Sequence, residues 1–480
     1  MSANPINSAP PSALAREHLQ TIAAFYETSA GTLTPSARSY RSLLAHYFNL
    51  LIPAEASVLE VGCGDGELLS RLNAKHKTGV DIAEKQLERA RARLPDAMFV
   101  QQAGEELDLQ GQTFDYIIVS DTLNFAADVE QLLERLHTVS TPQTRLIVNF
   151  HNNLWHPIFK VASWLGLQSK QPQNSWLSRH DVASLLDLSG WETIKIQPRL
   201  LWPIRTPLIA PLFNRWLAPL FPWACCSIFM IARPRPVPVE KPLSVSVLVP
   251  ARNEAGNIEA AIQRTPQMGA WTELIFVEGN STDNTWEEIQ RVKAAYPDRR
   301  IKILQQPGKG KGDAVRAGYA VAEGDVLMIL DADLTMPPEE LPKFYNAIAS
   351  GRAEFANGSR LVYPMEKQAM QFANMIANHC FGHLFSWMLG QRVKDTLCGT
   401  KVLRREHYLK IVANRAYFGD FDPFGDFDQL FGADKLNLKI VDIPIRYRDR
   451  TYGSTNISRW RHGVLLLRMV LFAARKLRFV

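Results

Sequence analysis

Residues 232–242, ARPRPVPVEKP, carry four prolines, show no apolar period, and separate two strand-like runs, CCSIFMI and LSVSVLVP. Proline has no amide N–H for a sheet ladder and fixes its own φ, so no single sheet continues through this stretch. It reads as a stiff, exposed linker with a boundary near residue 238. The chain is 480 residues long, more than one core ordinarily organises. On each side, β-like apolar runs alternate with helical periods, which predicts two α/β domains with largely parallel sheets. The expected division is residues 1–233, a linker at 234–242, residues 243–455, and a basic C-terminal helix at 456–480.

In the first half, SVLEVGCGDGELLSRL (57–72) runs from an apolar strand through Gly62, Gly64 and Gly66 into a helical pattern. Glycines at such a turn let backbone approach a ligand and offer helix N-terminal amides to it, although tight turns also use glycine for steric reasons alone. The next strand, in HKTGVDIAEKQL, ends at Asp81, a carboxylate placed to grip a ribose diol. Further strands follow in FDYIIVSDTLNF, TRLIVNFHNN, WETIKIQPRLLW and CCSIFMIA. With Glu60 just before the Gly-x-Gly-x-Gly turn, residues 40–233 resemble class I S-adenosylmethionine-dependent methyltransferases. The resemblance implies a Rossmann-like seven-stranded domain, with Glu60, Gly62, Gly64 and Gly66 around the methionine part of S-adenosyl-L-methionine and Asp81 on its ribose. Ala103 stands where many relatives carry an acid near the adenine, and Glu105 is close enough to substitute. Asn124-Phe125 replaces a frequent Glu-His, so the methyl acceptor is not legible. His151 is a candidate general base, and a satisfied loop histidine is the competing reading. The apolar, aromatic, proline-broken stretch PIRTPLIAPLFNRWLAPLFPWA (203–224) is either a packed cap or a lip that touches lipid.

In the second half, LSVSVLVPARNEAGNI (243–258) is a buried-type strand ending in a Pro-x-Arg-Asn-Glu turn. ELIFVEGNSTDNTWEEI, QPGKGKGDAVRAG and GDVLMILDAD follow in order. Strand alternation would turn Asp331 and Asp333 to one side and Ala332 to the other, letting two carboxylates converge on one hard divalent cation. This ordered set, over residues 243–455, resembles family-2 glycosyltransferases of the GT-A fold. The resemblance implies a nucleotide-sugar pocket lined by Pro250, Arg252, Asn253, Glu254, Glu278 and Asp283. Lys311 would approach the ribose or phosphates, and Asp331 and Asp333 would hold Mg²⁺ or Mn²⁺. Gly279 replaces an aspartate that touches the base in many relatives, which leaves UDP against GDP open.

Within that family the later segments look most like polyprenyl- and dolichyl-phosphate sugar transferases. NGSRLVY supplies Arg360, DTLCGTKVLRRE supplies Lys401 and Arg404, and VDIPIRYRDRTYGSTN supplies Arg450, with Asn456 where a lysine is frequent. Arginine suits a phosphate acceptor because its planar fork donates bidentately. A phosphate oxygen arrives ionised. A saccharide hydroxyl would need a base, for which FGDFDQL offers Asp428, with Asp426 second.

The chain carries a net charge of +6. The terminal stretch NISRWRHGVLLLRMVLFAARKLRFV places Arg461, Arg468 and Arg475 seven residues apart beside apolar positions and contains no acid, which suits an anionic interface. MQFANMIANHCFGHLFSWMLG (370–390) is either a second interfacial helix or a core helix. No nucleic-acid-reading motif is evident. Five scattered cysteines and the absence of a leader-like or spanning run predict a reduced, cytoplasmic setting at the inner face of a membrane. The reading is a bifunctional enzyme acting in cell-surface glycan or glycolipid assembly on a lipid-phosphate or lipid-linked glycan acceptor. The alternatives are a monofunctional glycosyltransferase with a non-catalytic methyltransferase-like module, or transfer to a saccharide hydroxyl.

Overall fold

The structure, a computed structural model, describes residues 12–28, 35–164, 172, 175–363, 372–417, 425–450, 452 and 459–480. Two compact units divide between Arg235 and Pro236, inside the proline-rich stretch.

Seven strands build the first unit: β1 (Ser57–Val61), β2 (His76–Asp81), β3 (Met98–Gln101), β4 (Phe114–Ser120), β5 (Ser140–His151), β6 (Trp191–Arg199) and β7 (Ser227–Pro234). Their order is β3-β2-β1-β4-β5-β7-β6, with β7 antiparallel to both neighbours and the rest parallel. The central strands are largely apolar, as expected for strands buried on both faces: Val58, Leu59, Ile117, Ile118, Leu146 and Ile147 are fully buried. The short edge strand β3 was not separately legible, because Met98–Gln101 has only three apolar residues in a row and none of its residues is buried.

The second unit holds β8 (Val245–Ala251), β9 (Thr272–Glu278), β10 (Arg300–Gln305), β11 (Val326–Ile329), β12 (Phe355–Ser359), β13 (Lys401–Arg404) and β14 (Ile440–Pro444). They run in the order β10-β9-β8-β11-β13-β12-β14, with β13 antiparallel to β11 and β12. Both chains of parallel strands reverse direction of winding at one point, between β1 and β4 and between β8 and β11. A crevice opens at such a switch point beyond the carboxyl ends of the strands. The glycine turn follows β1, and the Asp331–Asp333 pair follows β11.

The helix Arg459–Leu477 buries Met469, Val470, Ala473 and Ala474 and leaves Leu467, Arg468, Leu471 and Arg475 exposed. Of the second candidate interfacial helix, Phe372–Leu389, the far end is core: Phe385, Met388 and Leu389 are buried. Among the described residues, no helix is long and apolar enough to cross a membrane.

Candidate active sites

In the first unit, Gly62, Gly64 and Gly66 all take positive φ, at +76°, +52° and +70°. A Cβ on Gly62 would press on Thr122 Cγ2 at 2.6 Å, so the turn lies directly against the loop after β4. Asp81 accepts hydrogen bonds from the amides of Gly64 (2.7 Å) and Ala83 (3.0 Å), which ties the end of β2 to the glycine turn. Burial raises its carboxyl above the usual range, against those amide bonds. Glu60 is buried on β1, and its Oε2 has no hydrogen-bond partner among the described residues. Burial pushes its carboxyl up to about 8, only partly offset by Arg41. A buried carboxyl oxygen with no partner among the described residues fits a polar group of a bound ligand.

Glu105 lies elsewhere than expected. Its buried carboxylate accepts from the amides of Ala127 (2.8 Å) and Asp128 (3.4 Å), at the start of the helix Val129–Arg135, so it is spent on backbone and does not substitute for the acid missing at Ala103. Two helices before the strand pattern supply residues that the sequence did not single out. Tyr26, from Ala13–Thr28, has its phenol pushed up to about 12 by burial and then by Asp81, and its ring meets Phe125 edge-on at 6.3 Å. Arg41, from Pro35–Leu51, binds Asp65 at 3.0 Å beside the glycine turn. His151 ends β5, with Nδ1 3.4 Å from Asp121 Oδ1 and its ring stacked on Tyr40 at 5.3 Å. Asp121 directly precedes Thr122, so this cluster adjoins the glycine turn.

In the second unit, β11 stops at Ile329, two residues short of Asp331. Asp331–Leu334 instead forms a turn closed by the Leu334 amide on the Asp331 carbonyl (3.1 Å), with Leu334 at φ +50°. The expected strand alternation is therefore corrected: a turn, not a strand, carries the two carboxylates, and each engages a different cation. Asp331 Oδ1 lies 2.7 Å from Lys311 Nζ, at the first position of the helix Lys311–Ala320. Burial would raise the Asp331 carboxyl, but Lys311, assisted by Arg360 and Lys401, holds it below the usual range. Gly399 closes over this pair, since a Cβ there would run into both the Asp331 carboxylate and the Lys311 ammonium. Asp333 Oδ2 accepts from Arg450 at 2.7 Å, and the same guanidinium reaches Glu254 Oε1 at 3.1 Å. Thr335 fixes the other Asp333 oxygen through its amide (3.1 Å) and hydroxyl (2.8 Å).

Two carboxylates from one turn fit a hard divalent cation that completes its shell with water and substrate phosphate, as Mg²⁺ commonly does. Among the described residues no set of three or more His, Cys, Asp or Glu side chains gathers at one point, so the protein's share of such a shell would be Asp331 and Asp333. Once bound, the ion would neutralise charge on a diphosphate leaving group.

The β8 turn supplies the facing wall. Pro250 pairs with Val277 inside the sheet, and Arg252 is exposed at the rim. Asn253, at φ +57°, accepts from the Thr282 amide at 2.8 Å, which stitches this turn to the loop after β9. Glu278 is buried and accepts from the Ser281 amide, while Asp283 takes the amide of Thr285 at 3.0 Å. Both acids thus shape the loop against which a nucleotide would lie.

The expected acceptor residues separate. Arg360 is locked to Asp395 by bonds of 2.7 and 2.8 Å, and Asp395 also takes the Arg360 amide (3.0 Å) and the Asn378 amide group (2.9 Å). Asp395 opens the segment noted for Lys401 and Arg404, yet the sequence reading passed over it. Lys401 is fully buried and donates to the Cys398 carbonyl. Arg404 pairs with Val326 across the sheet, five residues before Asp331, which puts it roughly 16 Å along the strand from the carboxylates. This register withdraws Arg404 from the phosphate-contacting set. Asp428 accepts from Arg415 Nε at 2.9 Å, in a pocket with Tyr408, Arg316 and Gln429, so its carboxylate is already engaged. Asp426 begins the helix Asp426–Lys435, and its side chain lies outside the described residues, as do Asn456 and the side chain of Arg461.

Residues 59–148 match the family model described as a methyltransferase domain, and residues 246–412 match glycosyl transferase family 2. The chain joins a methyltransferase domain to a family-2 glycosyltransferase domain. Among curated proteins, it is 38% identical over 122 residues to a dolichol-phosphate mannosyltransferase of Pyrococcus furiosus, covering 25% of this chain and 34% of that one. It is 33% identical over 223 residues to an undecaprenyl-phosphate 4-deoxy-4-formamido-L-arabinose transferase of Proteus mirabilis, covering 46% of this chain and 64% of that one. The chain therefore spans less than two thirds of the length of these relatives. Among solved structures, an S-adenosylmethionine-dependent methyltransferase from Mesorhizobium loti is 19% identical with a TM-score of 0.31, covering 39% of this chain and 97% of that one.

Proposed function

We propose that the second unit transfers a sugar, with inversion and with the help of Mg²⁺ or Mn²⁺, from a UDP- or GDP-linked donor to a polyprenyl-phosphate-type lipid or a lipid-linked glycan. The first unit would methylate a component of the same cell-surface glycan or glycolipid assembly, using S-adenosyl-L-methionine. The observation that carries this reading is the set of three ion-paired carboxylates beyond β8 and β11, Asp331 with Lys311, and Asp333 and Glu254 with Arg450. Cations poised beside a metal-binding turn suit a diphosphate donor, whose charge they meet once it enters. The names of the two curated relatives, both lipid-phosphate sugar transferases, favour the same acceptor class. An ionised phosphate acceptor needs no general base, which agrees with Asp428 being engaged by Arg415. Attack on the anomeric carbon would come in line, opposite the departing diphosphate, hence inversion. The exposed Leu467, Arg468, Leu471 and Arg475 of the C-terminal helix would hold the chain peripherally on the inner face of a membrane.

The test is nucleoside diphosphate release from a panel of UDP- and GDP-sugars, with and without polyprenyl phosphate, for wild type and Asp333→Ala. Release by one donor that requires Mg²⁺ or Mn²⁺, rises with polyprenyl phosphate and disappears in the variant is the expected result. Release indifferent to polyprenyl phosphate for every donor would sink the lipid-phosphate acceptor.

A further inference from the structure

Twelve of the twenty-five exposed large apolar side chains among the described residues fall in two short stretches of the methyltransferase unit, 154–164 and 204–223. Trp164, Leu208 and Trp223 are 84%, 86% and 68% exposed. Single exposed apolar residues are ordinary, whereas a concentration of this kind marks a surface that meets something apolar.

The stretches are joined, and the second is properly folded. Asn152 donates to the carbonyls of Trp223 (2.9 Å) and Cys225 (3.0 Å), and the Trp155 indole donates to the Ala224 carbonyl (2.9 Å). Buried Asn214 accepts from the Trp202 amide (2.7 Å) and donates to the Trp202 carbonyl (2.8 Å). With Asn214, Ala210 and Ala218 form the inward face at a spacing of four residues, while Leu208, Leu212, Trp216 and Leu220 point outward. The segment thus has an inner side that packs and an outer side that is apolar by sequence. In the helix His156–Trp164 no residue is buried at all.

Charge decides the occupant. No Asp or Glu occurs between residues 152 and 180 or between 193 and 239, while Lys160, Arg205 and Arg215 lie within the two stretches. Tryptophan among aliphatic residues, basic side chains and the exclusion of acids are the composition of a bilayer interface with anionic headgroups. The inner edge of the surface is the candidate acceptor cluster: Phe159 meets the His151 ring edge-on at 4.9 Å, and Trp176 lies 6.4 Å from it.

We infer that the methyltransferase unit carries its own bilayer-docking surface, built by residues 154–164 and 204–223, which opens the His151 cluster toward an acceptor carried in anionic lipid. This deepens the methyl-transfer reading; within the same face Phe479 lies with its ring 5.5 Å from Trp216 and its carbonyl accepting from Arg215 Nε at 3.1 Å. The full chain is tested by co-sedimentation with phosphatidylcholine vesicles, with and without phosphatidylglycerol, in an Arg468→Glu/Arg475→Glu background that weakens the C-terminal contact. Adding Trp164→Glu and Leu208→Glu is expected to lower binding to phosphatidylglycerol vesicles by roughly tenfold or more, because two apolar anchors become charges of the wrong sign. S-adenosyl-L-methionine binding and the melting temperature should stay unchanged, since both side chains face solvent. Vesicle binding unaltered by the two substitutions overturns the proposal. So does a stable dimer in light scattering that they dissociate, which would make the face a subunit interface. Absence of S-adenosyl-L-methionine binding alongside intact docking would instead defeat the methyl-transfer reading alone.

Discussion

Replacing Asp395 by asparagine tests whether the Arg360 segment is held in place by charge. The Asp395 side chain is fully buried and that of Arg360 is 12% exposed. Burial acts to raise the Asp395 carboxyl, but Arg360 overcomes it and holds it at about 2, against an ordinary 3.8. That difference corresponds to about 2 kcal/mol of preference for the ionised form. Because the folded value is depressed, this stability is present above about pH 4 and is lost as pH falls toward about 2. Asp395→Asn also leaves a buried guanidinium without its counter-charge, and breaking such a pair ordinarily costs about 3–5 kcal/mol. For a unit the size of residues 236–478, each kcal/mol moves the melting temperature by about 2–4 °C, so the second unit should melt about 6–20 °C lower. Calorimetry on the full chain reads the shift, and hydrogen exchange in β12 and β13 locates it. A drop below about 2 °C with unchanged exchange would refute the reasoning, because it would mean that hydrogen bonding alone secures Arg360. The variant should also lack the wild type's loss of stability between about pH 4 and 2.

Gly62→Ala places a methyl against Thr122 at a residue with φ +76°, and should weaken S-adenosyl-L-methionine binding at least about tenfold while costing about 1–2 kcal/mol of stability. Wild-type affinity by titration calorimetry would contradict it. Glu60, raised to about 8 by burial, favours the folded state most below about pH 4.5, and that contribution fades as pH climbs through about 8. Denaturant unfolding across that range should therefore slope downward in wild type and flatten in Glu60→Gln by roughly a few kcal/mol. An equal slope in both proteins would place the titration elsewhere. Arg404→Ala should leave nucleoside diphosphate release within about twofold of wild type, whereas Arg450→Ala should reduce it on the order of 10²-fold, since only Arg450 meets the site carboxylates. Equal losses would show that the β13 register misplaces Arg404.

Both domain types were legible because their signals are local. A strand followed by a tight glycine turn, or by Asp-x-Asp, is spelled in consecutive residues, and parallel strands buried on both faces are apolar without interruption. What stayed hidden depends on contacts far apart in the chain. Tyr26 reaches the site from a helix more than fifty residues before Asp81, and Asp395 is functional scaffolding only because Arg360 comes back to it across β12. Glu105 was misread because its partners, the Ala127 and Asp128 amides, belong to a loop whose path sequence does not give. Arg404 was misplaced for a related reason: residues three apart in the DTLCGTKVLRRE segment stand at opposite ends of a strand, and only register tells which end faces the crevice.

The two crevices hold their carboxyl groups in different charge states. In the first unit, Glu60 and Asp81 are both raised, with burial the leading cause in each, and among the described residues Glu60 Oε2 has no hydrogen-bond partner. Carboxyl groups held partly neutral by desolvation gain most when a cation arrives, because it restores the ionised form. S-adenosyl-L-methionine brings two, a sulfonium and an ammonium. In the second unit, Asp331 is lowered against its burial by Lys311, and Asp333 is bound by Arg450. Glu254 remains raised by burial although Arg450 draws it down. Here the counter-charges are already installed. Asp331 and Asp333 are the residues that would hold a divalent ion, and Lys311 and Arg450 would then face the diphosphate of a donor.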